Sequence, residues 1–409
     1  MSPINLSKLS NPFGNKFCFY SKMVNNVSKL LIDEIVDLDI NYTLSEQEIK
    51  HLIPFFEHLE RSRSKKVVSI VGESAISRHE SAVHLEKSKF TGNKVQESLN
   101  NDIQEYGVCV ELQTPSGNIK ICIFGENQQE IDTYKKVIID TIIFVFHLNL
   151  GQYKLNSINI FLTDLKKQVD LEDIFDHTKS ISLSGEQVNT GVTYHYSHKS
   201  DIYLWRKEEI VKVCIHELIH SLDWDIRKSE DNIQNIFNKK LKINKEILLS
   251  EAYTEAWAEI LNCYICSFMI ETKPEEIFCR FIHYIEIETI FSVWQVIKII
   301  HLSNTEQTCS LNDFLKVTDK DTNVFPYYFL TASILFNVVD WICLCENVCD
   351  EYVNYNSSAK NDSDIANWFL DNITSDGFYN LCKKIKNKFI KNDSKKIYNS
   401  MRMTAIECL

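Results

Sequence analysis

The segment VCIHELIHSLDWD, residues 213–225, constrains the fold of this chain more than any other feature. Apolar residues recur along it at steps of one helical turn, which predicts an amphipathic helix. Residues four apart lie on one face of such a helix, with Cβ atoms roughly 5–6 Å apart, so His216 and His220 can offer two imidazole nitrogens to one metal ion. Glu208 and Glu209 are expected in the first turn, where they complement the helix dipole.

Glu217 follows the first histidine and projects to a different side of the predicted helix. From there its carboxylate can reach a metal-bound water without ligating the metal, as the pattern H-E-x-x-H requires. Zinc takes histidine nitrogens at about 2.0–2.1 Å, and a catalytic zinc site keeps one position for water. The alternative interpretation is a metal-free helix with two partly buried histidines and a solvated glutamate.

A third protein ligand decides between these interpretations. The position six residues past the second histidine carries an isoleucine, which excludes one common arrangement. A later helical segment, EAYTEAWAE, places Glu251, Glu255 and Glu259 on one stripe, where like charges repel by roughly 0.2–0.5 kcal/mol per pair unless a divalent cation faces them. We expect Glu251 to be the third ligand and Glu255 to accept a hydrogen bond from a ligand histidine. The competing assignments make Glu255 or Asp225 the direct ligand.

The charge balance and the cysteines limit the class of protein. The net charge of −12 argues against broad binding to nucleic acid or to an anionic membrane, because both need a basic face. The lysines of KKIKNKFIKNDSKK are expected on a solvated helix face, and no apolar run is long enough to span a membrane. Thirteen cysteines without a secretory signal predict free thiols in the cytoplasm or another reducing intracellular compartment. Cys263 and Cys266 have CxxC spacing but are expected to be structural thiols of a buried helix.

The order of the predicted elements indicates an α+β fold with a small mixed sheet and a mostly helical C-terminal region. A β-hairpin is predicted from YGVCVELQT and NIKICIFGE, which the turn signal PSG joins. An apolar helix, a strand at SINIFLTDL and an edge strand at VNTGVTYHYS precede the two helices that carry the candidate ligands. The expected segments are 1–103, an α/β region of unknown role; 104–265, the catalytic core; 266–350, a helical part of the catalytic unit; and 351–409, a polar loop and a helical tail.

The motif HELIH followed by LLSEAYTEAWA resembles the gluzincin branch of the zinc metallopeptidases. That branch includes thermolysin-like enzymes, the zinc aminopeptidases and the protease domain of anthrax lethal factor. The resemblance covers about residues 105–265 and implies a zincin-like domain with one zinc ion. It assigns His216, His220 and Glu251 as the zinc ligands. It also assigns Glu217 as the general base and Glu255 as the hydrogen-bond acceptor for a ligand histidine. The bias toward Asn, Ile and Lys is also similar to uncharacterised HExxH proteins of large DNA viruses with AT-rich genomes, which implies that the chain is virus-encoded.

The predicted edge strand bears on the substrate. Zinc aminopeptidases carry a G-x-M-E-N segment whose glutamate holds the free amine of the substrate. In the comparable stretch GEQVNTGVTY, Gly185 and Asn189 fit that alignment, but Val188 falls at the glutamate, which favours cleavage within a chain. The free N–H and C=O groups of an edge strand pair with extended peptides, so Asn189, Gly191 and Thr193 are candidate substrate contacts. An edge strand without any substrate role is the alternative.

Peptide hydrolysis also needs a hydrogen-bond donor for the oxyanion. Gluzincins often supply a tyrosine or histidine from elsewhere in the chain, and Tyr327 and Tyr328 in NVFPYYFLTASIL are the catalytic candidates, with His283 as another. Each is alternatively a packed core residue. His195 and His198 are three residues apart in a predicted strand and point to opposite faces, which favours surface histidines over a second metal pair.

These features predict a zinc-dependent endopeptidase that hydrolyses peptide or protein substrates with Glu217 as the general base. The alternative is a catalytically silent protein that keeps the zincin fold for a structural or host-interaction role. The intact Glu217 argues against that alternative, because a structural zinc site has no use for a base and normally closes its fourth position. A metal-independent helical scaffold is the third interpretation.

Overall fold

The protein combines one mixed β-sheet with a mostly helical remainder in the computed structural model. The described residues are 25–76, 93–101, 106–151, 154–170, 172, 183–196, 199–243, 246–303, 311, 315, 323–389 and 396–409. The α-helices of more than four residues there are α1 (Asn26–Val36), α2 (Glu46–Arg63), α3 (Asn93–Asn101), α4 (Gln128–Leu148), α5 (Ile210–Ser221), α6 (Glu230–Leu241), α7 (Leu249–Ile270), α8 (Pro274–Leu302), α9 (Thr331–Phe336), α10 (Val338–Val348), α11 (Ala359–Ile373) and α12 (Asp376–Phe389). The strands are β1 (Ser69–Ala75), β2 (Tyr106–Thr114), β3 (Gly117–Gly125), β4 (Leu155–Phe161), β5 (Gly191–His195), β6 (Ser200–Leu204), β7 (Cys349–Asp350) and β8 (Asn354–Tyr355).

The main sheet has the strand order β1–β2–β3–β4–β6–β5. The pairs β1–β2, β2–β3 and β5–β6 are antiparallel, and β4 is parallel to both of its neighbours. The predicted hairpin of β2 and β3 is confirmed, and its turn uses Gly117 at a φ of 121°, which side chains other than glycine rarely adopt. The predicted edge position of β5 is also confirmed. β6, the partner of β5, was not predicted.

The core joins the sheet to the helices. α5 packs against α4, α7, β5 and β6, and α8 packs against α7. Buried apolar side chains from Leu31 to Ile406 form one hydrophobic cluster, which includes residues from the early helices and from the end of the chain. The expected mixture of a small sheet and a mostly helical remainder is therefore confirmed. The division into four segments remains a prediction.

The helix predicted for this segment is confirmed as α5, and all of its residues are buried. Glu208 and Glu209 do not lie in its first turn, because the helix begins after them and Glu209 takes the N-cap position with a left-handed φ of 60°. That conformation costs of order 1–3 kcal/mol for a residue other than glycine. The Glu209 carboxylate is fixed by the N–H groups of Met403 and Thr404, at 2.7 Å each, and by the ammonium group of Lys167 at 2.7 Å.

Residues 401–409 form an irregular segment that lies largely buried in the core, where a helical tail was predicted. The helical part of the prediction is confirmed only for α11 and α12, which precede this segment. The lysines of α12 are exposed as expected, at Lys383, Lys384 and Lys388. Glu288 on α8 accepts hydrogen bonds from the N–H groups of Ala405 and Ile406, both at 2.9 Å. Because Glu209 binds the same segment, residues 401–409 connect the start of α5 to α8.

The cysteines of the described ranges are free thiols, as predicted. Cys263 and Cys266 are buried within α7, which agrees with their expected structural role.

In the described part of the chain, no single helix has the length and composition of a membrane span. The bent pair Phe325–Phe336 and Val338–Val348, with 95° between its arms, meets those criteria jointly.

Candidate metal centre

Three side chains from α5 and α7 converge on one point between these helices. His216 Nε2 and His220 Nε2 lie 3.1 Å apart. Glu251 Oε2 lies 3.4 Å from the first nitrogen and 3.2 Å from the second. The histidines lie one turn apart on α5, and the glutamate lies in the first turn of α7. The described structure therefore brings the three predicted ligands together as a group that can hold a metal ion.

Each imidazole uses its other nitrogen to bind a carboxylate. His216 Nδ1 lies 2.8 Å from Glu255 Oε2, and His220 Nδ1 lies 2.5 Å from Asp225 Oδ2. A carboxylate acceptor places the proton on Nδ1, so the lone pair of Nε2 faces the point of convergence. Glu255 and Asp225, the two competing ligand candidates, thus lie behind the imidazoles.

The separations of the three ligand atoms fit a tetrahedral zinc ion. Metal–ligand bonds of about 2.0–2.1 Å at tetrahedral angles separate the ligand atoms by about 3.3–3.4 Å. The observed separations are 3.1, 3.2 and 3.4 Å. Two imidazole lone pairs at 3.1 Å repel each other unless a cation lies between them. Two nitrogens and one carboxylate oxygen also match the ligand set of catalytic zinc sites, which keep a fourth position for water.

The electrostatics of the centre favour positive charge at the ligand nitrogens. Burial lowers the pKa of His220, but the charge of Glu251 and the hydrogen bond to Asp225 outweigh burial and raise this pKa to about 10. Glu251 and Glu255 likewise raise the pKa of His216 in spite of burial. Burial acts to raise the pKa of Glu251, yet the two imidazoles hold it well below its usual range. Protons and a metal cation therefore compete for the same nitrogens.

Glu217 lies against the edge strand β5. Thr193 Oγ1 donates a hydrogen bond to Glu217 Oε2 at 2.7 Å and lies 3.1 Å from the Glu217 carbonyl oxygen. A Cβ atom at Gly191 would lie 2.8 Å from Glu217 Oε1, so glycine is needed for this close approach. Two predicted substrate-strand residues thus contact the predicted base. The third, Asn189, lies before the strand as the C-cap of the one-turn helix Gly185–Val188.

Tyr327 is the predicted oxyanion donor that lies at the centre. Its hydroxyl donates to Glu251 Oε2 at 3.0 Å, and its ring centroid lies 5.9 Å from that of His216. The residue belongs to a π-helical turn, Phe325–Leu330, and such turns are frequent at functional sites. Burial, followed by the charge of Glu251, raises the pKa of Tyr327 well above its usual value, so this hydroxyl keeps its proton and can donate it.

The other tyrosine and histidine candidates lie elsewhere. The Tyr328 hydroxyl donates to a backbone carbonyl of the last segment at 2.7 Å, so the structure does not bring it to the centre. His283 Nδ1 lies 3.7 Å from a glutamate on its own helix, α8. His195 Nε2 lies 2.9 Å from the guanidinium group of Arg227. His198, its predicted partner, lies outside the described residues.

Two cations beside the centre were missed by the sequence analysis. Lys212 Nζ lies 2.5 Å from Glu255 Oε1, and Arg227 Nε lies 2.7 Å from Asp225 Oδ2. The sequence held a signal for each of them. Lys212 is four residues before His216 and so lies on the same face of α5, and Arg227 follows Asp225 by two residues.

Comparison with known proteins finds similarity to a viral protein. The chain is 24% identical over 337 residues to "Uncharacterized protein R210" of Acanthamoeba polyphaga mimivirus, and the match covers 76% of this chain and 82% of that protein. No protein family matches the chain, and no solved structure matches it. The expected resemblance to proteins of large DNA viruses is supported to this extent.

Proposed function

We propose that this protein is a zinc-dependent endopeptidase of the zincin type, with His216, His220 and Glu251 as the zinc ligands. The observation that carries the proposal is the triangle of two Nε2 atoms and one Oε2 atom with sides of 3.1, 3.2 and 3.4 Å. Imidazole and carboxylate ligands at tetrahedral spacing favour zinc over the oxygen-bound calcium and magnesium ions. The ligand helix α5 packs against both the edge strand β5 and the glutamate helix α7, which supports the zincin assignment.

The chain's own residues supply the base and the donor. A zinc ion bound here would polarise the scissile carbonyl and lower the pKa of a bound water toward roughly 7. Glu217 takes a proton from the attacking water and delivers it to the leaving amine. The hydrogen bond from Thr193, at 2.7 Å, orients the Glu217 carboxylate for that role. Tyr327 is the donor that we assign to the oxyanion.

The position of β5 supports cleavage within a peptide chain. β5 is the outermost strand of the sheet, so one of its edges has no strand partner among the described residues. An extended peptide can add to such an edge through main-chain hydrogen bonds. Val188, which stands where aminopeptidases have their amine-binding glutamate, is buried and offers no carboxylate.

The substitution Glu217→Gln separates the chemistry from metal binding. The variant is expected to keep its zinc and to lose about 10²- to 10⁴-fold in peptidase activity, because the general base is removed. His220→Ala is expected to lower the zinc content, since one ligand is lost. Elemental analysis measures the zinc, and cleavage of a peptide library with and without a chelator measures the activity.

Each result of this experiment has a defined meaning. Full activity in Glu217→Gln would exclude this residue as the base. A wild-type protein that binds one zinc ion and cleaves no peptide would favour the catalytically silent alternative. A wild-type protein without zinc would favour the metal-independent scaffold.

A further inference from the structure

The same series of charged groups lies behind each of the two candidate ligand histidines. Behind each Nδ1 atom lies a carboxylate, and behind each carboxylate lies a cation. The first series runs from His216 through Glu255 to Lys212, and the second runs from His220 through Asp225 to Arg227. We call these two series the Lys212 relay and the Arg227 relay.

The Lys212 relay lies in the interior. The side chains of Lys212 and Glu255 are both 2% exposed, and their charged atoms are 2.5 Å apart. Lys212 Nζ also lies 4.0 Å from Glu209 Oε1 and 3.7 Å from Met403 Sδ. Lys212 and His216 lie one turn apart on α5, so the cation and the imidazole hold the two oxygens of the same Glu255 carboxylate.

The Arg227 relay lies at the rim of the centre. Arg227 is 33% exposed, and its backbone N–H donates to Asp225 Oδ1 at 2.9 Å while its Nε contacts Oδ2 at 2.7 Å. The same guanidinium donates to the carbonyl oxygen of His220 and lies 2.9 Å from His195 Nε2. Arg227 therefore ties the end of α5 to the edge strand β5.

The relays also place positive charge beside buried carboxylates of the centre. Lys212 pairs with Glu255, and Arg227 pairs with Asp225. A buried carboxylate that loses its cation keeps its desolvation cost and loses the contact that offsets it.

We propose that Lys212 and Arg227 are positioning residues of the metal centre. Each anchors the carboxylate that orients one ligand imidazole, so that both Nε2 atoms face the ion position. The inference rests on the metal site of the proposed function but is independent of peptidase activity. The three ligand atoms lie within 3.4 Å of one another, and fixed imidazoles maintain that arrangement.

The test is the Zn²⁺ affinity of full-length variants, measured by competition with a chromophoric chelator. Lys212→Met is expected to weaken Zn²⁺ binding about 10- to 100-fold, the range found when groups behind metal ligands are removed. Arg227→Gln is expected to weaken it about 10-fold, because the exposed rim lets water replace part of the lost contact. Lys212→Met combined with Glu255→Gln is expected to bind Zn²⁺ no more weakly than Glu255→Gln alone, since Lys212 acts through that carboxylate.

Matched controls separate positioning from general damage to the core. Lys298→Met removes an equally buried amine, which donates to the carbonyl oxygen of Ile397 at 2.7 Å, and is expected to leave Zn²⁺ affinity within twofold of wild type. Arg63→Gln removes an arginine of similar exposure, which pairs with Glu60.

Three results would overturn the inference. In the first, Lys212→Met and Arg227→Gln bind Zn²⁺ like wild type. In the second, the double variant loses as much Zn²⁺ affinity as Lys212→Met and Glu255→Gln lose together. In the third, wild-type protein shows no Zn²⁺ binding, which removes the metal site itself. Circular dichroism shows whether Lys212→Met folds. If it does not, the Zn²⁺ affinity of Arg227→Gln tests the inference.

Discussion

At the residue scale, Gly191 controls where the Glu217 carboxylate can lie. The strand backbone approaches the carboxylate so closely that a Cβ atom would meet Glu217 Oε1 at 2.8 Å and Leu204 Cδ2 at 2.7 Å. Thr193, two residues along the same face of β5, donates to Glu217 Oε2. The strand that we assign to substrate binding thus also positions Glu217, the proposed base.

Gly191→Ala is expected to keep zinc and to lose about 100-fold in kcat/KM. The added methyl group displaces the Glu217 carboxylate, and a shift of about 1 Å in a catalytic group can cost that much. Zinc content by elemental analysis and peptide cleavage measure the two effects. Gly72→Ala is the control, because its nearest neighbours would lie at 3.8 Å, and it should behave as wild type. Wild-type activity in Gly191→Ala would contradict the close approach.

The candidate ligand residues could be predicted at this scale because their spacing in the sequence is regular. His216 and His220 are four residues apart, and the Glu251 stripe has no nearby cation in its own segment. The relay cations were missed for a physical reason. A lysine in an apolar helix can extend to solvent, and only the packing of α7 onto α5 shows that Lys212 is buried against Glu255.

At the element scale, α7 depends on a carboxylate from another helix. No side chain of its own N-cap residue binds its first turn. Glu230, at the start of α6, accepts hydrogen bonds from the N–H groups of Leu249 and Ser250 at 2.6 and 3.0 Å. This contact fixes the turn that carries Glu251.

Glu230→Gln is expected to flatten the pH dependence of stability between about pH 5 and 7. Burial raises the pKa of Glu230 from 4.5 to about 7, so between these values the folded protein holds a proton that the unfolded chain has released. The free energy of unfolding therefore falls as pH rises, by at most about 1.4 kcal/mol per pH unit for this group. Glu288, with a pKa raised by burial to about 7, retains part of the slope. Urea unfolding across this range is the measurement, and an unchanged slope would refute the assignment.

Elements with strong local signals could be predicted, and those defined by tertiary contacts could not. The hairpin has a glycine turn between two β-rich runs, and the edge strand has β-branched and aromatic residues. β6 was missed because its short sequence, SDIYL, follows polar residues and becomes a strand only by pairing with β4 and β5. The burial of α5 on all sides likewise depends on partners that are distant in sequence.

At the scale of the whole molecule, residues 401–409 lie in the core and connect separate helices. Met401, Ala405 and Ile406 are inaccessible to solvent. Carboxylates from two different helical regions, Glu209 and Glu288, bind the backbone of this segment. The irregular backbone carries no periodic signal, which explains why the sequence indicated a helical tail instead.

Ile406→Ala is expected to lower the free energy of unfolding by about 2–5 kcal/mol, because a fully buried side chain is removed and leaves a cavity. Leu30→Ala is the comparison, since Leu30 is 43% exposed on α1 and its truncation should cost within about 0.5 kcal/mol. Chemical denaturation measures both. Equal losses in the two variants would show that the segment is not part of the cooperative core.

The burial of residues 401–409 has a consequence for biosynthesis. A ribosome makes this segment after every other element of the core, and chains are elongated at only about 5–20 residues per second. A nascent chain that lacks the segment leaves Glu209 and Glu288 without the N–H donors that they bind in the finished protein. The start of α5, the helix that carries both candidate ligand histidines, therefore gains these contacts late in synthesis.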